Sequence, residues 1–376
     1  MAPILKGIVV IAVEDDAILM QHGYFDVSVD EWPDVNFSPL AIIDRPLPAS
    51  SDGEKPQDGT PKEYLKDWRE HAPELALDYI KGFVGECLDA GKAVDGIGVS
   101  IFGNVMQGSE IVWYAPSQGN RKAVSIPLQF REELQHFVRG HEGHKSRTSP
   151  IVCVENDATA MAVGESIIDA ERPKLFSCIW LGKGINAGLV TEEIGSWKGF
   201  MHPEMGHFLP RFHPDDGEFL ERTRQEDHPT SCAIHRDCLM GLISRRAILN
   251  RREHGMPMSD ITRIVADYIA QLCVAITYIT APGRIAIGGY VLRSGLLDPL
   301  PFLAAVRARF NELVNGYPQY AQIAPGKVSE FIVPAYGLGE GWNASALLGM
   351  KEMLKARLKA ASESRESALA PLEVGK

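Results

Sequence analysis

Two short runs constrain this chain most: His202-Pro203-Glu204-Met205-Gly206-His207 and Cys232-Ala233-Ile234-His235-Arg236-Asp237-Cys238. Cys232, His235 and Cys238 fall within one heptapeptide, so a single tight loop can present all three to one point. His207 supplies a fourth donor. Two cysteines and two histidines are the donor set of a closed tetrahedral Zn2+ site, with no open coordination position, so such a metal braces rather than reacts. The run between the two arms is polar and carries Pro214 and Pro229, so it can loop out freely. The same side chains also read as two core cysteines and two incidental histidines; the spacing favours the metal.

The chain has 376 residues, enough for two domains with sizeable cores. Its 45% hydrophobic and 23% charged content is that of a soluble globular protein. A formal net charge of −11 argues against a nucleic-acid backbone or an anionic membrane as partner. Six cysteines in so long a chain make no disulfide framework, and with the metal-type spacing they suggest a reducing, cytoplasmic setting. The apolar run near the N-terminus is short and closed by Glu14-Asp15-Asp16, which suits a buried strand better than a leader. No uninterrupted apolar run reaches membrane-spanning length.

In chain order, GIVVIAV (7–13) reads as a buried strand and 17–29 as its antiparallel partner. Residues 45–62 are rich in Pro, Gly, Ser and Asp and read as an exposed loop. Pro73 can open a helix whose stripe is Leu77, Ile80, Val84, Cys87 and Leu88, closed by Gly91. Strands follow at 94–99, 151–154 and 176–180, with a helix at 161–170. An apolar helix at 259–281 ends at Pro282-Gly283, a strand covers 284–287, another 331–334, and a last helix starts at Asn343. Residues 355–376 are charged and low in apolar content and read as a mobile tail. No internal repeat of fixed period is visible.

Two further places carry chemistry. The strand at 151–154 runs into Glu155-Asn156-Asp157 at a helix start. There a carboxylate is held ionised by the helix N-terminus and opens on a crevice at the strand's carboxyl end. On the residues alone, Asn156 or Asp157 can equally be a helix cap. The run Gly182-Lys183-Gly184-Ile185-Asn186-Ala187-Gly188 lets backbone N–H groups approach phosphate oxygens, though hairpins and bulges use glycine in the same way.

The run Glu204-Met205-Gly206-His207, then Arg211-x-His213-Pro214-x-Asp216, then Cys232-x2-His235-x-Asp237-Cys238-Leu239-x-Gly241-Leu242 resembles the zinc-binding segment of ROK-family sugar kinases, the fructokinase-like branch above all. The likeness covers most of residues 60–350. It implies an α/β, two-lobed actin-like ATPase (ribonuclease H-like) fold. It divides the chain into an N-terminal lobe of 1–160 plus 335–376, closed by the C-terminal helix, and a C-terminal lobe of 161–334 with the zinc segment. It implies ATP-dependent phosphorylation of a hexose, with Asp157 as general base and Asn156, Glu204, His207 and Gly103 at the sugar. Gly182, Lys183, Gly184, Gly288 and Gly289 fall at its nucleotide loops, and His207, Cys232, His235 and Cys238 at its structural Zn2+. Mg2+ and ATP are the cofactors if the chain is active, and relatives of this kind are often homodimers.

The chain departs from the family pattern at several places. Asn104, Lys183, Asn186, Met240 and Tyr290 replace a proline, a threonine, a glycine, a glutamate and a glycine. The family opens with a strand followed by Asp-x-Gly-Gly-Thr-Lys, and no glycine pair precedes Gly96 here. GIVVIAV resembles the strand after that loop, so the chain is expected either to start upstream of Met1 or to have lost ATP turnover. The second outcome would make it a zinc-braced sugar-binding or regulatory relative.

Overall fold

The computed structural model describes residues 5–13, 17–26, 41–44, 62–101, 104–106, 110–114, 123–125, 127–142, 144, 149–169, 173–182, 184–191, 195–196, 202–224, 232, 235, 237–317, 321–324, 326–336 and 344–369. The chain divides into two compact units. One comprises Met1–Ser50, Lys55–Asp157 and Leu347–Lys376; the other comprises Ser51–Glu54 and Ala158–Ala346.

The first unit begins with β1 (Leu5–Val13), β2 (Ala17–Asp26) and β3 (Ala41–Asp44), followed by α1 (Lys62–Asp89) and β4 (Gly96–Ile101). A small antiparallel sheet of β5 (Asn104–Met106), β6 (Glu110–Tyr114) and β7 (Ala123–Ser125) comes next, then α2 (Pro127–Gly140) and β8 (Ile151–Asn156). The main sheet has the order β3-β2-β1-β4-β8. β1 is antiparallel to β2 and parallel to β4, and β4 is parallel to β8. The central strands are continuous apolar runs, as buried parallel strands require. One core is formed by Val9, Ile11, Ile97, Val99 and Val154 against Ile80 and Val84 of α1 and Phe130, Leu134 and Val138 of α2.

The second unit repeats this plan. It holds α3 (Asp157–Ile168, whose first residue closes the first unit), β9 (Leu175–Leu181), β10 (Ile185–Thr191) and β11 (Gly195–Ser196). Four helices follow: α4 (Gly217–Arg224), α5 (Leu239–Ile243), α6 (Arg245–Glu253) and α7 (Met258–Thr280). The unit then runs through β12 (Arg284–Gly288), α8 (Tyr290–Arg293), α9 (Pro299–Val314), α10 (Val328–Phe331) and β13 (Ile332–Pro334). The sheet order is β11-β10-β9-β12-β13, the same arrangement as in the first unit. α7 supplies Ile261, Val265, Tyr268, Leu272 and Ile276 to the core, packed with Phe302, Val306 and Phe310 of α9. The last described element is α11 (Ala344–Leu369).

Several expectations change. GIVVIAV is the central strand β1, the counterpart of β9, which precedes a hairpin turn; it is not the strand that follows one. A strand that follows the turn, such as β2, has antiparallel neighbours on both sides, whereas β1 has a parallel neighbour in β4. The first long helix starts at Lys62 and runs through Pro73 rather than opening there. α3 starts at Asp157, ahead of the expected Met161, because the Ala and Thr residues after Asp157 are all buried in the helix. The expected tail is helical as far as Leu369; within it Leu358 is buried, following buried Met353 and Leu354 of the same helix. Among the described residues, α7 alone is long and apolar enough to cross a membrane by composition. Two-thirds of that window (67%) is buried inside the protein, as in a core helix. The repeat is one of topology, with no matching sequence period.

Candidate active site and metal centre

Asn156 ends β8 and Asp157 begins α3, so the carboxylate stands in the first helical turn, where the helix end favours its charge. Asn156 is 2% exposed, and its backbone N–H donates to Glu155 Oε1 at 3.1 Å. Ile101 is the partner of Asn156 in the sheet. Gly103 and Lys183 lie outside the described residues.

The other site residues belong to the second unit. Gly182 and Gly184 flank the β9–β10 turn, where the Gly182 N–H donates to Gly184 O at 2.8 Å. Gly288 is paired with Trp180 in the neighbouring strand, so the glycines after β9 and after β12 stand at one end of one sheet. Gly289 has φ +118°, and a Cβ there would overlap Leu181 O, so only glycine fits. The Tyr290 ring lies 5.6 Å from the Arg245 guanidinium and 5.9 Å from that of Arg293. These two arginines come from distant stretches, and only the fold brings them together.

Glu204 and His207 bracket a single 3-10 turn, Met205–His207. Gly206 lies against the start of β10, and a Cβ there would overlap Ile185 O. Met240 fills the space beside the hairpin, since a side chain at Gly184 would meet its Cε at 3.2 Å. Met240 also packs against the core of the second unit.

The ligand atoms of His207, Cys232, His235 and Cys238 all lie within 4.8 Å of one another. His207 Nδ1 is 3.6 Å from Cys232 Sγ, 3.7 Å from Cys238 Sγ and 3.3 Å from His235 Nδ1. Cys238 stands at the N-cap of α5, and the next residue, Leu239, donates its N–H to Phe208 O at 3.0 Å, which ties the two arms of the segment together. The His235 N–H points at Cys232 Sγ at 3.1 Å, a contact that favours a thiolate. The hydrogen bond to Cys232 raises the His207 pKa above its ordinary value, against an opposing effect of burial. The Cys238 thiol is pushed far up, first by its hydrogen bond to Cys232 and then by burial. Two thiols, one holding back its proton beside the other, with two imidazoles at these separations, fit a tetrahedral soft-donor ion such as Zn2+.

A carboxylate and a buried histidine stand behind this cluster. His202, 1% exposed, has Nε2 2.9 Å from Glu204 Oε1, close but not aligned as a hydrogen bond. Glu204 Oε2 is 3.9 Å from His207 Nε2. His202 opens the run read from the sequence but is given no role there, although it stands two positions before Glu204.

Two units, each a hairpin sheet extended by parallel strands in the same order, define the actin-like ATPase class of α/β fold. Residues 59–337 match the ROK family model, and the chain belongs to the ROK family. It is similar to a fructokinase of Pediococcus pentosaceus, with 33% identity over 138 residues, 36% of this chain and 43% of that protein. It is also similar to a putative fructokinase of Bacillus subtilis (strain 168), with 31% identity over 184 residues, 47% of this chain and 56% of that protein. The chain therefore spans only about half the length of these relatives. Among solved structures, the ROK hexokinase of Thermus thermophilus has a TM-score of 0.54 at 17% identity, covering 95% of this chain and 100% of that one. A ROK family protein from Streptococcus pneumoniae TIGR4 in complex with sucrose has a TM-score of 0.53 at 16% identity, covering 95% and 100%. These two likenesses carry the fold.

Proposed function

We propose that the chain is an ATP-dependent hexose kinase of the fructokinase type. The observation that carries the reading is the Cys2His2 cluster with Glu204 on the same turn as one of its ligands. In this reading Asp157 takes the proton of the attacking sugar hydroxyl. The hydroxyl oxygen bonds to the γ-phosphorus of ATP as the bond to ADP breaks, and the proton ends on the carboxylate. Asn156, Glu204, His207 and Gly103 hold and orient the sugar, which turns an encounter into an aligned, near-unimolecular step. Gly182, Lys183 and Gly184 cradle phosphates, and Gly288 and Gly289 let the backbone approach the nucleoside. Bound Mg2+ would supply charge neutralisation on the phosphate oxygens; no described residue is assigned to it. Zn2+ held by His207, Cys232, His235 and Cys238 would keep the loop beside Glu204 rigid. The same reading carries a homodimer in a reducing, cytoplasmic compartment.

A second reading, a zinc-braced sugar-binding relative without turnover, is favoured by one feature. The connection between β1 and β2 is Glu14-Asp15-Asp16, where the equivalent connection of the second unit is Gly182-Lys183-Gly184. Three acids repel a triphosphate. Calorimetric titration with Mg-ATP and with fructose separates the two readings, followed by an ADP-release assay over a hexose panel. A kinase binds both and turns over, and Asp157→Ala abolishes turnover while sugar binding persists. Sugar and zinc binding with no turnover on any hexose overturns the first reading.

A further inference from the structure

We propose that His202 is a positioning residue for the metal cluster, acting through Glu204. The inference rests on the reading of His207, Cys232, His235 and Cys238 as a metal site. The three side chains form a ladder. His202 is buried at its base with Nε2 2.9 Å from Glu204 Oε1. Glu204, whose side chain is 18% exposed, places its other oxygen 3.9 Å from His207 Nε2. The opposite nitrogen of His207, Nδ1, faces Cys232, His235 and Cys238.

A metal-ligating histidine is oriented by the partner of its other nitrogen, and a carboxylate there fixes both the tautomer and the ring plane. The Glu204 carboxylate stands beside that nitrogen at 3.9 Å, an ion-pair distance from which it biases the tautomer without a direct hydrogen bond. A glutamate side chain has several rotamers, and only some of them bring Oε2 near His207. His202 selects among them, because its ring is held by burial and its Nε2 stands at ion-pair distance from Oε1, 2.9 Å, which turns Oε2 towards His207. The rigidity of the ladder comes from the protein interior and not from the metal loop. The 3-10 turn supports it: Gly206 is pressed against Ile185 O, which prevents the turn from rotating to relieve a misplaced Glu204.

The test is Zn2+ affinity, measured by competition with a chromogenic chelator on the purified full chain, for wild type, His202→Phe, His202→Gln, Glu204→Gln and the double variant His202→Phe/Glu204→Gln. Phenylalanine keeps a buried ring and removes both nitrogens; glutamine keeps a polar nitrogen that can face Glu204. His202→Phe and Glu204→Gln should each weaken Zn2+ binding roughly tenfold. The double variant should be no weaker than Glu204→Gln alone, and His202→Gln should recover most of the affinity. Wild-type affinity in His202→Phe, or losses that multiply in the double variant, overturns the proposal. Should His202→Phe fail to fold, His202→Gln against Glu204→Gln decides by the same comparison. A wild-type chain that takes up no Zn2+ overturns the metal reading as well, and so is distinguishable from failure of the ladder alone.

Discussion

Asp216 and Arg251 form a two-point ion pair with both side chains fully buried, Nε to Oδ1 at 2.8 Å and Nη2 to Oδ2 at 2.6 Å. Both groups make further bonds: Arg251 Nη1 donates to Leu242 O at 2.6 Å, and the Tyr268 hydroxyl donates to Asp216 Oδ2 at 2.9 Å. The guanidinium also lies over the Phe219 ring, 3.6 Å from its centroid. Asp216 lies in the run between His207 and Cys232, so this pair fastens the middle of the metal segment to α6 and α7. Gln271 of α7 adds to the fastening, donating to Arg211 O at 2.9 Å and accepting from Arg211 N at 2.8 Å.

Breaking the pair from one side strands a buried charge. Arg251→Ala or Asp216→Ala should cost about 3–5 kcal/mol, read as a lower urea midpoint at unchanged slope. A loss below about 1 kcal/mol would mean that the partner regains solvent or another counter-ion.

Metal removal should act on stability directly. Cys232→Ser should lower bound metal and thermal midpoint together, each kcal/mol lost shifting the midpoint by roughly 2–4 °C. A chelator should reproduce the loss in wild type and add little in the variant. A wild-type protein equally stable after complete metal removal would refute the bracing role.

Gly206 tolerates no side chain. Gly206→Ala drives a methyl into Ile185 O, so the turn must move off β10. A destabilisation of about 1–3 kcal/mol is expected, with a lower metal content because His207 moves with the turn. Wild-type metal content and stability would show that the turn adjusts freely.

Lys351, in α11, carries a pH signature. Burial lowers its pKa from the ordinary 10.5 to about 8, against a smaller opposing effect of Glu352. The unfolded chain therefore binds this proton more tightly than the folded one. The resulting penalty is complete below about pH 8 and is relieved as pH rises from about 8 to 10.5. Lys351→Met should gain up to about 3 kcal/mol at pH 7, and the advantage should shrink by pH 10. Urea midpoints at the two pH values, compared between variant and wild type, check it; an advantage that does not change with pH would refute the assignment.

Much of the site is legible in the sequence because its signals are local. Cys232, His235 and Cys238 sit within one loop's reach, and the spacing alone indicates that they meet. The apolar stripe of α7 is legible for the same reason, since helical periodicity needs no knowledge of partners. His202 carries no such signal: a histidine near a glutamate is common, and its importance rests on burial and on the direction of a carboxylate. Arg251 reads as one more surface charge on a basic helix, because its partner Asp216 lies 35 residues away. The tail resembles a mobile segment because its apolar residues are sparse, yet it continues a helix already seated by buried Met350, Met353 and Leu354, and Leu358 extends that contact.

Which residues can bind a metal, where strands and helices alternate, and the family to which the chain belongs are readable from the amino-acid order, because donor chemistry and periodicity are properties of neighbours along the chain. That β1 is the counterpart of β9, that Glu204 stands between two imidazoles, and that a buried arginine anchors the metal segment emerge from the folded arrangement alone. Strand order and long-range pairing depend on which surfaces meet when the chain folds, and no short window of residues encodes that.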